Sequence, residues 1–421
     1  MLDGSPGILR RRLLASRPYY GWYVVVGCFF LSLMTSGTIF SFSVFLGPVI
    51  EAFDQSTANT SLVFGLQSLL TFGGAALLGF AVDRYGVRRL LVVAGALVCT
   101  GLAGASQAST FLGVVVAYSV VAATGLGITF VVAYTTPPRW FERRRGLATG
   151  VAVSGWGVGI LAMPPLIDAL IDVVGWQQAY LILAGMFFVA IAIAVTLLAT
   201  RPSDLGVDVG DEFAEPIGTV SVRSIRAQVV ETVRTAFTPM FALVFVGLLF
   251  AFVPSYAVLV FLVEFAESAG AGRRAGVIGV SAIGAMNIVA KFAAGGIADR
   301  AGADLTMAGF VALMCLVTPV MVAFPTPTSV VVLAALFGFG YGGIAALMSP
   351  LMAELFGTAD LSTLFGLTSI GFAVAGIIVP YLVGFGFDLF GTYDVPFLAA
   401  AAVGFAAAVA FLAIRSQRPT V

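Results

Sequence analysis

The stretch Gly79-Phe-Ala-Val-Asp-Arg-Tyr-Gly86 decides the fold, because it returns 216 positions later (295 minus 79) as Gly295-Gly-Ile-Ala-Asp-Arg-Ala-Gly302. The same offset aligns further glycines and a proline, Pro164 with Pro380. Glycine is frequent here, at 49 of 421 residues, so a single match means little. Eight matches in one register that include an Asp-Arg pair are hard to obtain by chance. Self-similarity at a fixed offset indicates repeated structural units, and the sequence therefore predicts two related halves.

The composition is that of a membrane protein, with 60% hydrophobic and 10% charged residues. A soluble domain carries about 25% charged residues, so most soluble enzymes, nucleic-acid-binding proteins and disordered proteins are excluded. The chain has no histidine, which excludes histidine-based metal sites, catalytic triads and pH switches. The three cysteines, Cys28, Cys99 and Cys315, are far apart and predict neither a disulfide framework nor a metal site. We expect no metal and no cofactor.

Twelve apolar segments are each long enough for a helix to cross a bilayer, which takes about 20 residues. Runs such as residues 189–199 lack the alternation of an outer-membrane barrel, and the first run is too long for a signal peptide. We therefore predict an all-α membrane protein with twelve transmembrane helices. Segments one to twelve cover residues 20–46, 59–81, 89–107, 111–136, 146–168, 177–199, 240–263, 275–298, 304–324, 329–353, 362–387 and 394–414.

The arginines predict the orientation of the chain. If the N-terminus is cytoplasmic, 18 of the 20 arginines fall on the cytoplasmic side, and only Arg273 and Arg274 fall on the other. Cytoplasmic loops of membrane proteins carry an excess of Lys and Arg. We expect a multi-pass protein of the plasma or inner membrane, embedded in the lipid bilayer, with both termini in the cytoplasm and no nucleic-acid partner.

Six segments fall in each half, and the longest polar stretch lies between the halves. We predict an N-terminal six-helix bundle over residues 1–200, a cytoplasmic linker over 201–236 and a C-terminal six-helix bundle over 237–421. The linker is expected to contain a short amphipathic helix near 221–234. Two parallel repeats of six helices form the major facilitator architecture, in which substrate binds near the membrane midplane between the halves. We expect a monomer, although an oligomer stays open.

The repeated loop resembles the signature loop of the major facilitator superfamily, and its second copy is the weaker one. Asp83 can pair with an arginine or cap a helix N-terminus across the cytoplasmic seam, and Gly86 permits a tight turn. With Arg84, and with Asp299 and Arg300 of the second copy, the loop predicts a latch that holds the inner gate shut. The alternative is a charged loop that merely follows the distribution of positive charge.

The stretch Trp140-Phe-Glu-Arg-Arg-Arg-Gly-Leu-Ala-Thr-Gly150 at the start of segment five resembles a family-specific stretch of the monocarboxylate transporters, a family that includes prokaryotic oxalate:formate exchangers. The Tyr19-Tyr-Gly-Trp-Tyr23 start of segment one is similar to the prokaryotic members. The acidic residue common near this start in animal members is absent. The resemblance covers nearly the whole chain. We interpret Arg143, Arg144 and Arg145 as interfacial anchors or gate partners.

Lys291 is the one ionisable residue that the sequence places well inside a segment. A buried cation costs at least about 2.5–3.5 kcal/mol. Lys291 precedes Asp299, at the predicted inner end, by eight residues or about 12 Å. That distance is long for a lysine that extends to the interface, which is the alternative interpretation. Asn287 lies one turn away on the same face. We predict that Lys291 binds an anionic substrate and that Asn287 assists.

The resemblance implies the same binding position. Segment eight of these transporters commonly carries a cation, usually arginine, that pairs with the substrate carboxylate, and Lys291 matches it. Oxalate:formate exchangers carry a second cation in segment eleven, where Gly366-Leu-Thr-Ser-Ile-Gly-Phe372 has none, so a single carboxylate is favoured over oxalate. Tyr341 resembles an aromatic substrate-site position of the family. Further aromatic residues that could line an apolar pocket are Tyr118, Phe130, Tyr134, Phe40 and Phe42.

Four acidic residues lie at predicted outer ends of segments, and we expect them to be solvated and without function. They are Glu264, Glu267, Asp168 and Asp388. On this interpretation no carboxylate inside the membrane is available as a proton carrier.

These features predict a secondary active transporter of small monocarboxylates of the lactate, pyruvate or acetate type, and not an enzyme, because no nucleophile–base pair or phosphate loop is found in the segments. Arginine stays protonated, whereas a desolvated lysine can release its proton. We therefore predict proton-coupled symport by alternating access, with a monocarboxylate anion and a proton as partners. Two alternatives stay open: an anion exchanger or exporter of another small organic acid, and a membrane receptor that binds a carboxylate without transporting it.

Overall fold

The computed structural model describes residues 19–141, 145–198, 238–356 and 361–416. Within these ranges the chain forms helices joined by short turns, numbered to match segments one to twelve. They are α1 (Gly21–Phe53), α2 (57–85), α3 (Val87–Ser106), α4 (Phe111–Arg139), α5 (145–174), α6 (176–197), α7 (Pro239–Ser268), α8 (Arg273–Ala301), α9 (Ala303–Ala323), α10 (Pro327–Phe356), α11 (Leu361–Phe390) and α12 (Asp394–Ser416). The predicted linker, 201–236, and its helix near 221–234 lie outside the described residues.

Ten helices of the described chain are long and apolar enough to cross a membrane. One of them, Arg145–Leu197, consists of α5 and α6, which meet at a non-helical residue, Gly175. The remaining segment, α2, contains wider, π-type turns at Leu69–Gly73. Large apolar side chains such as Phe188 and Leu316 are more than half exposed on the outside of the bundle, where lipid would cover them. The predicted all-α membrane fold is confirmed.

Four glycines that end helices form two pairs related by the 216-residue offset. Gly86 (φ 82°) and Gly302 (φ 90°) follow α2 and α8, and Gly175 (φ 81°) and Gly391 (φ 70°) follow α5 and α11. Glycine adopts positive φ at no steric cost, which makes it a common residue at helix ends. The tight turn predicted at Gly86 is therefore present in both copies, and α1–α6 and α7–α12 are built alike.

The two halves meet along two seams, α5 against α8 and α2 against α11, where glycines bring the backbones together. A Cβ on Gly284 of α8 would strike the Leu161 nitrogen of α5, and one on Gly384 of α11 would lie 2.8 Å from the Thr57 carbonyl oxygen of α2. Small residues allow this close approach of membrane helices. The halves are thus in backbone contact over part of their length.

Within the residues that the structure describes, the α5–α8 seam is closed at one end only. We call the closed end, where α8 begins, the Arg273 end, and the opposite one the Asp299 end. Toward the Asp299 end, a Cβ on Gly150 of α5 or on Gly295 of α8 would meet nothing within 4 Å. The space between the halves therefore opens toward the Asp299 end. The location of that end in the cytoplasm stays a prediction.

Candidate functional site

Lys291 of α8 lies where the α5–α8 seam opens. Its Nζ donates a hydrogen bond of 3.4 Å to the carbonyl oxygen of Val153 in α5, one turn from Gly150. The side chain is half-buried, and no carboxylate of the described residues lies within 4 Å of it. A cation within a membrane segment normally faces the interior of the bundle and has a partner. In the described part of the chain, Lys291 has a backbone carbonyl and no counter-ion.

Asn287, one turn before Lys291 on α8, is fully buried. Neither its amide nitrogen nor its amide oxygen has a hydrogen-bond partner among the described residues. The residue lies between Gly157 of α5, whose Cβ would be 3.2 Å from the amide oxygen, and Gly342 of α10, whose Cβ would be 2.6 Å from the Asn287 Cα. An unpaired buried polar group costs about 1–3 kcal/mol. Such a group suits a ligand that supplies the missing partner.

Trp156 of α5 is the centre of an aromatic cluster in the N-terminal half. Its ring centroid lies 6.0 Å from that of Phe40, 6.3 Å from Phe72, 5.8 Å from Phe130 and 6.3 Å from Tyr134. Tilted and edge-on pairs at these distances are favourable aromatic contacts. Phe72 belongs to the π-type turns of α2, and such turns occur frequently at functional sites.

The C-terminal half contributes a second group of rings, arranged around Phe252 of α7. The Phe252 centroid lies 6.0 Å from that of Tyr256, 6.4 Å from Tyr341 and 4.3 Å from Phe372. The Tyr341 hydroxyl lies beside the Trp156 indole, which it meets across the interface between the halves. The two groups therefore form one aromatic cluster, and Lys291 and Asn287 lie at its α5–α8 side.

The cluster is partly symmetric, and the cation is not. The 216-residue offset pairs Phe40 with Tyr256 and Trp156 with Phe372. Lys291 has no such counterpart, because the offset position in the first half is an alanine. Both halves thus supply rings, and one half supplies the charge.

The structure brings together most of the residues predicted to bind substrate, and their role in binding stays a prediction. Lys291, Asn287, Tyr341, Phe130, Tyr134 and Phe40 are in or beside the cluster. Tyr118 lies apart, in the core of the N-terminal half. Its hydroxyl donates to the Thr38 carbonyl oxygen at 3.0 Å, and its ring stacks on Phe42 at 5.9 Å.

Trp156 is the central residue that the sequence analysis did not single out. The other cluster residues Phe72, Phe252, Tyr256 and Phe372 were also missed. The offset that aligns the glycines also aligns Trp156 with Phe372, and this was the signal in the sequence that could have found both.

The repeated loops at the Asp299 end do not join the halves through any described side chain. Asp299 and Arg300 are exposed, and Arg300 Nη1 donates to the Gly296 carbonyl oxygen of its own helix at 3.0 Å. The Arg84 guanidinium lies 5.8 Å from the ring of its neighbour Tyr85. The side chains of Asp83 and Arg145, and residues Arg143 and Arg144, lie outside the described part. These contacts stay within one half of the molecule, in agreement with a seam that is open at the Asp299 end.

The expectation that Asp168 and Glu264 are solvated is wrong. At the Arg273 end, Arg273 Nη2 lies 2.9 Å from Asp168 Oδ1 and Nε lies 3.0 Å from the same oxygen. Its Nη1 lies 3.8 Å from Glu264 and 3.7 Å from Glu267. Asp168 and Glu264 are only 17% and 18% exposed, whereas Glu267 is 54% exposed. The first two are buried because the opposite half packs over them, as at Gly47 of α1, whose Cβ would lie 2.6 Å from Glu264 Oε1.

Asp388 is also not simply solvated. Its two carboxylate oxygens accept the backbone N–H groups of Thr57, at 3.0 Å, and Ala58, at 2.9 Å. These groups begin α2, and free N–H groups at a helix start favour an acidic partner. A carboxylate of α11 thus caps a helix of the opposite half, at the Arg273 end.

The sequence model of the Major Facilitator Superfamily matches residues 27–324 and 276–421. The chain belongs to the Major Facilitator Superfamily. Membership makes the protein a multi-pass membrane transporter rather than an enzyme. This major facilitator protein also has the fold of a solved member, a D-xylose-proton symporter, with a TM-score of 0.71 at 14% identity over 93% of this chain and 97% of the other.

Curated relatives of this major facilitator protein bear the names that the sequence resemblance implies. Monocarboxylate transporter 12 of Xenopus laevis is 25% identical over 90% of this chain and 85% of its own length. Monocarboxylate transporter 1 of Homo sapiens is 25% identical over 91% and 82%. The oxalate:formate antiporter of Oxalobacter formigenes is 28% identical over 80% and 78%.

Proposed function

We propose that this secondary transporter carries small monocarboxylates by proton-coupled symport. The observation that carries the proposal is Lys291, a cation without a counter-ion among the described residues, located where the interface between the halves opens. A half-buried cation inside a membrane segment is best explained by an anionic ligand. Relatives that are named monocarboxylate transporters support the same substrate class.

In the proposed complex the substrate carboxylate replaces the Val153 carbonyl as the partner of Lys291 Nζ. That hydrogen bond is long, at 3.4 Å, so little is lost when it breaks. The amide of Asn287, one turn away and unpaired, donates to the second carboxylate oxygen. One cation and one neutral donor suit a single negative charge, because a dianion would leave one charge uncompensated.

Coupling to protons follows from the choice of lysine over arginine. When the site is empty, Lys291 is desolvated and has no carboxylate partner in the described residues, so it can release its proton to the open side. Binding of the anion favours the charged form and brings a proton back. Anion and proton then cross together, and the transport cycle is electroneutral. An arginine would stay charged throughout and could not serve as the proton carrier.

Alternating access is proposed to use the two ends in turn. The Arg273 end is closed by the cluster around Arg273, and the Asp299 end is open in the described residues. In the proposed orientation the Asp299 end and both termini face the cytoplasm of a plasma or inner membrane. The repeated loop with Asp83, Arg84, Asp299 and Arg300 would close that end in the opposite state.

The test measures uptake of labelled lactate, pyruvate and acetate into proteoliposomes with an imposed proton gradient. Lys291→Gln is expected to abolish gradient-driven uptake, and Lys291→Arg is expected to bind the anion but lose accumulation against a gradient. Arg274→Gln is the matched control, since Arg274 is an exposed cation at the start of the same helix. Uptake by Lys291→Gln at the parent rate would refute binding by Lys291, and full accumulation by Lys291→Arg would refute its role in coupling.

A second candidate function is exchange of one organic anion for another, which the similarity to an antiporter favours. Vesicles preloaded with unlabelled substrate, without a proton gradient, distinguish the two. Exchange predicts fast counterflow and no net uptake, whereas symport predicts net uptake whenever a proton gradient is present. Binding without any uptake would instead identify a receptor.

A further inference from the structure

Several rings around the proposed site are not completely buried. Phe72, Trp156, Phe252, Tyr341 and Phe372 are each 6–8% exposed, unlike core rings such as Phe45 and Phe187, at 1% and 0%. Phe130 and Tyr134 are half-buried beside them. These seven rings come from six helices of both halves, namely α2, α4, α5, α7, α10 and α11.

Trp156 is held at a fixed place relative to Lys291. The Lys291 Nζ contacts the carbonyl of Val153, which precedes Trp156 by three residues, about 4.5 Å along the axis of α5. Gly155 and Gly157 let this turn pack tightly between α1 and α8. A Cβ on Gly155 would strike the Phe29 carbonyl oxygen of α1, and one on Gly157 would approach α8. A carboxylate on Lys291 is therefore about one turn of α5 from Trp156, within reach of a small molecule that extends toward the indole.

The charges around the site restrict what that molecule can be. Acidic residues of the described chain lie near helix ends, as Asp168, Glu264 and Asp388 do, so no described carboxylate would pair with an ammonium group on the substrate. A zwitterionic amino acid would leave its ammonium unpaired in an apolar site, at a large desolvation cost. The part beyond the carboxylate must therefore be uncharged.

The shape and polarity of the lining favour an aromatic tail. Aromatic rings prefer tilted and edge-on partners at centroid distances of about 4.5–7 Å, and the lining rings already use this range among themselves. A flat ring inserted beside Trp156 can make such contacts with Phe130 and Tyr134, which pack on that indole, whereas the methyl group of lactate or acetate reaches few of them.

We propose that the preferred substrates are aryl monocarboxylates such as benzoate or phenylacetate, with the carboxylate on Lys291 and the ring against Trp156. The inference rests on the proposed function and narrows its substrate class. Trp156 then determines specificity, while Lys291 and Asn287 bind the carboxylate common to all monocarboxylates.

The experiment measures the affinity of the purified protein for phenylacetate, benzoate, lactate and acetate by calorimetry, together with competition of each against labelled lactate uptake. We expect the two aryl acids to bind at least tenfold more tightly than lactate. Trp156→Leu should raise the Kd for phenylacetate at least tenfold and the Kd for lactate less than threefold. Trp156→Phe, which keeps a ring, should stay within threefold of the parent for both.

Trp22→Phe is the matched control, because Trp22 lies near the start of α1 against Phe141 and away from the cluster. Size-exclusion profiles of the variants establish that they fold. Lactate or acetate binding as tightly as the aryl acids would overturn the inference and leave the proposed function standing, as would an equal loss for all four ligands in Trp156→Leu. The absence of binding by every monocarboxylate would overturn both.

Discussion

Arg273 of α8 and Asp168 of α5 form an ion pair across the interface between the halves, with Nε at 3.0 Å and Nη2 at 2.9 Å from the same carboxylate oxygen. The same guanidinium donates to the Val44 carbonyl oxygen of α1 at 2.8 Å. One side chain of the C-terminal half is thus bound to two helices of the N-terminal half. These contacts must separate before the Arg273 end can open.

Asp168→Asn is therefore expected to shift the protein toward a state that is open at the Arg273 end. The reporter is Ile50→Cys, which lines a cavity of about 270 Å³ with Glu264 and Thr57, in a chain whose native cysteines are replaced by alanine. The rate of thiol labelling at position 50 should rise about tenfold, or about 1.4 kcal/mol. Arg274→Gln should leave the rate unchanged. An unchanged rate in Asp168→Asn would show that the pair does not hold this end closed.

Gly284→Ala should disfavour the conformation described here. Its Cβ would strike backbone atoms of Ile160 and Leu161 in α5, which cannot move without separating the two helices. We expect at least a fivefold loss of transport rate together with faster thiol labelling at the Arg273 end. Gly309→Ala is the control, because a Cβ there meets nothing within 4 Å. Equal rates for the two variants would contradict the close seam.

Asn287→Leu should stabilise the protein while it weakens substrate binding. The leucine removes two buried polar atoms that lack partners in the described chain, each unpaired group costing about 1–3 kcal/mol. We expect a higher apparent melting temperature and about a tenfold higher Kd for monocarboxylates. Asn59→Leu, at an exposed position of α2, serves as the control. A lower melting temperature with unchanged affinity would mean that Asn287 is structural.

Asp388→Ala should loosen the contact between α11 and α2. Two backbone N–H groups at the start of α2 lose their acceptor, and loss of a helix cap costs about 0.5–2 kcal/mol. The apparent melting temperature should fall, and labelling at Ile50→Cys should increase by a smaller factor than in Asp168→Asn. Glu51→Ala, an exposed acid of α1, is expected to change neither. A melting temperature equal to that of the parent would show that Asp388 does not help to close the Arg273 end.

The fold was predictable because its determinants are local. Hydropathy locates segments, and the repeated glycines, seen again at Gly86 and Gly302 with positive φ, reveal two similar halves. The location of Lys291 inside a membrane segment was also predictable, since a cation in an apolar helix is costly wherever its partners lie and therefore stands out in the sequence. Its place beside Val153 depends on how the two halves dock, which no local pattern encodes.

The acidic residues at the Arg273 end show what a prediction from local sequence cannot find. Hydropathy alone predicts that a carboxylate near a helix end is solvated. Asp168 instead pairs with Arg273, an arginine 105 residues away in the chain. Trp156 illustrates the converse: a tryptophan between two glycines is unremarkable in an apolar helix. It becomes central because those glycines admit α1 and α8 so closely that the indole has only the space between the halves to fill.

Gly150 of α5 and Gly295 of α8 border the open part of the α5–α8 seam. No described atom packs against either residue, so the present packing does not require a glycine there. Glycine in a helix interior nevertheless costs about 1 kcal/mol relative to alanine. In the alternating-access cycle proposed above, this space would receive the opposite helix when the Asp299 end closes. α5 and α8 would then approach there as closely as they do now at Gly157 and Gly284, and the two halves would pivot about Lys291 between equivalent contacts.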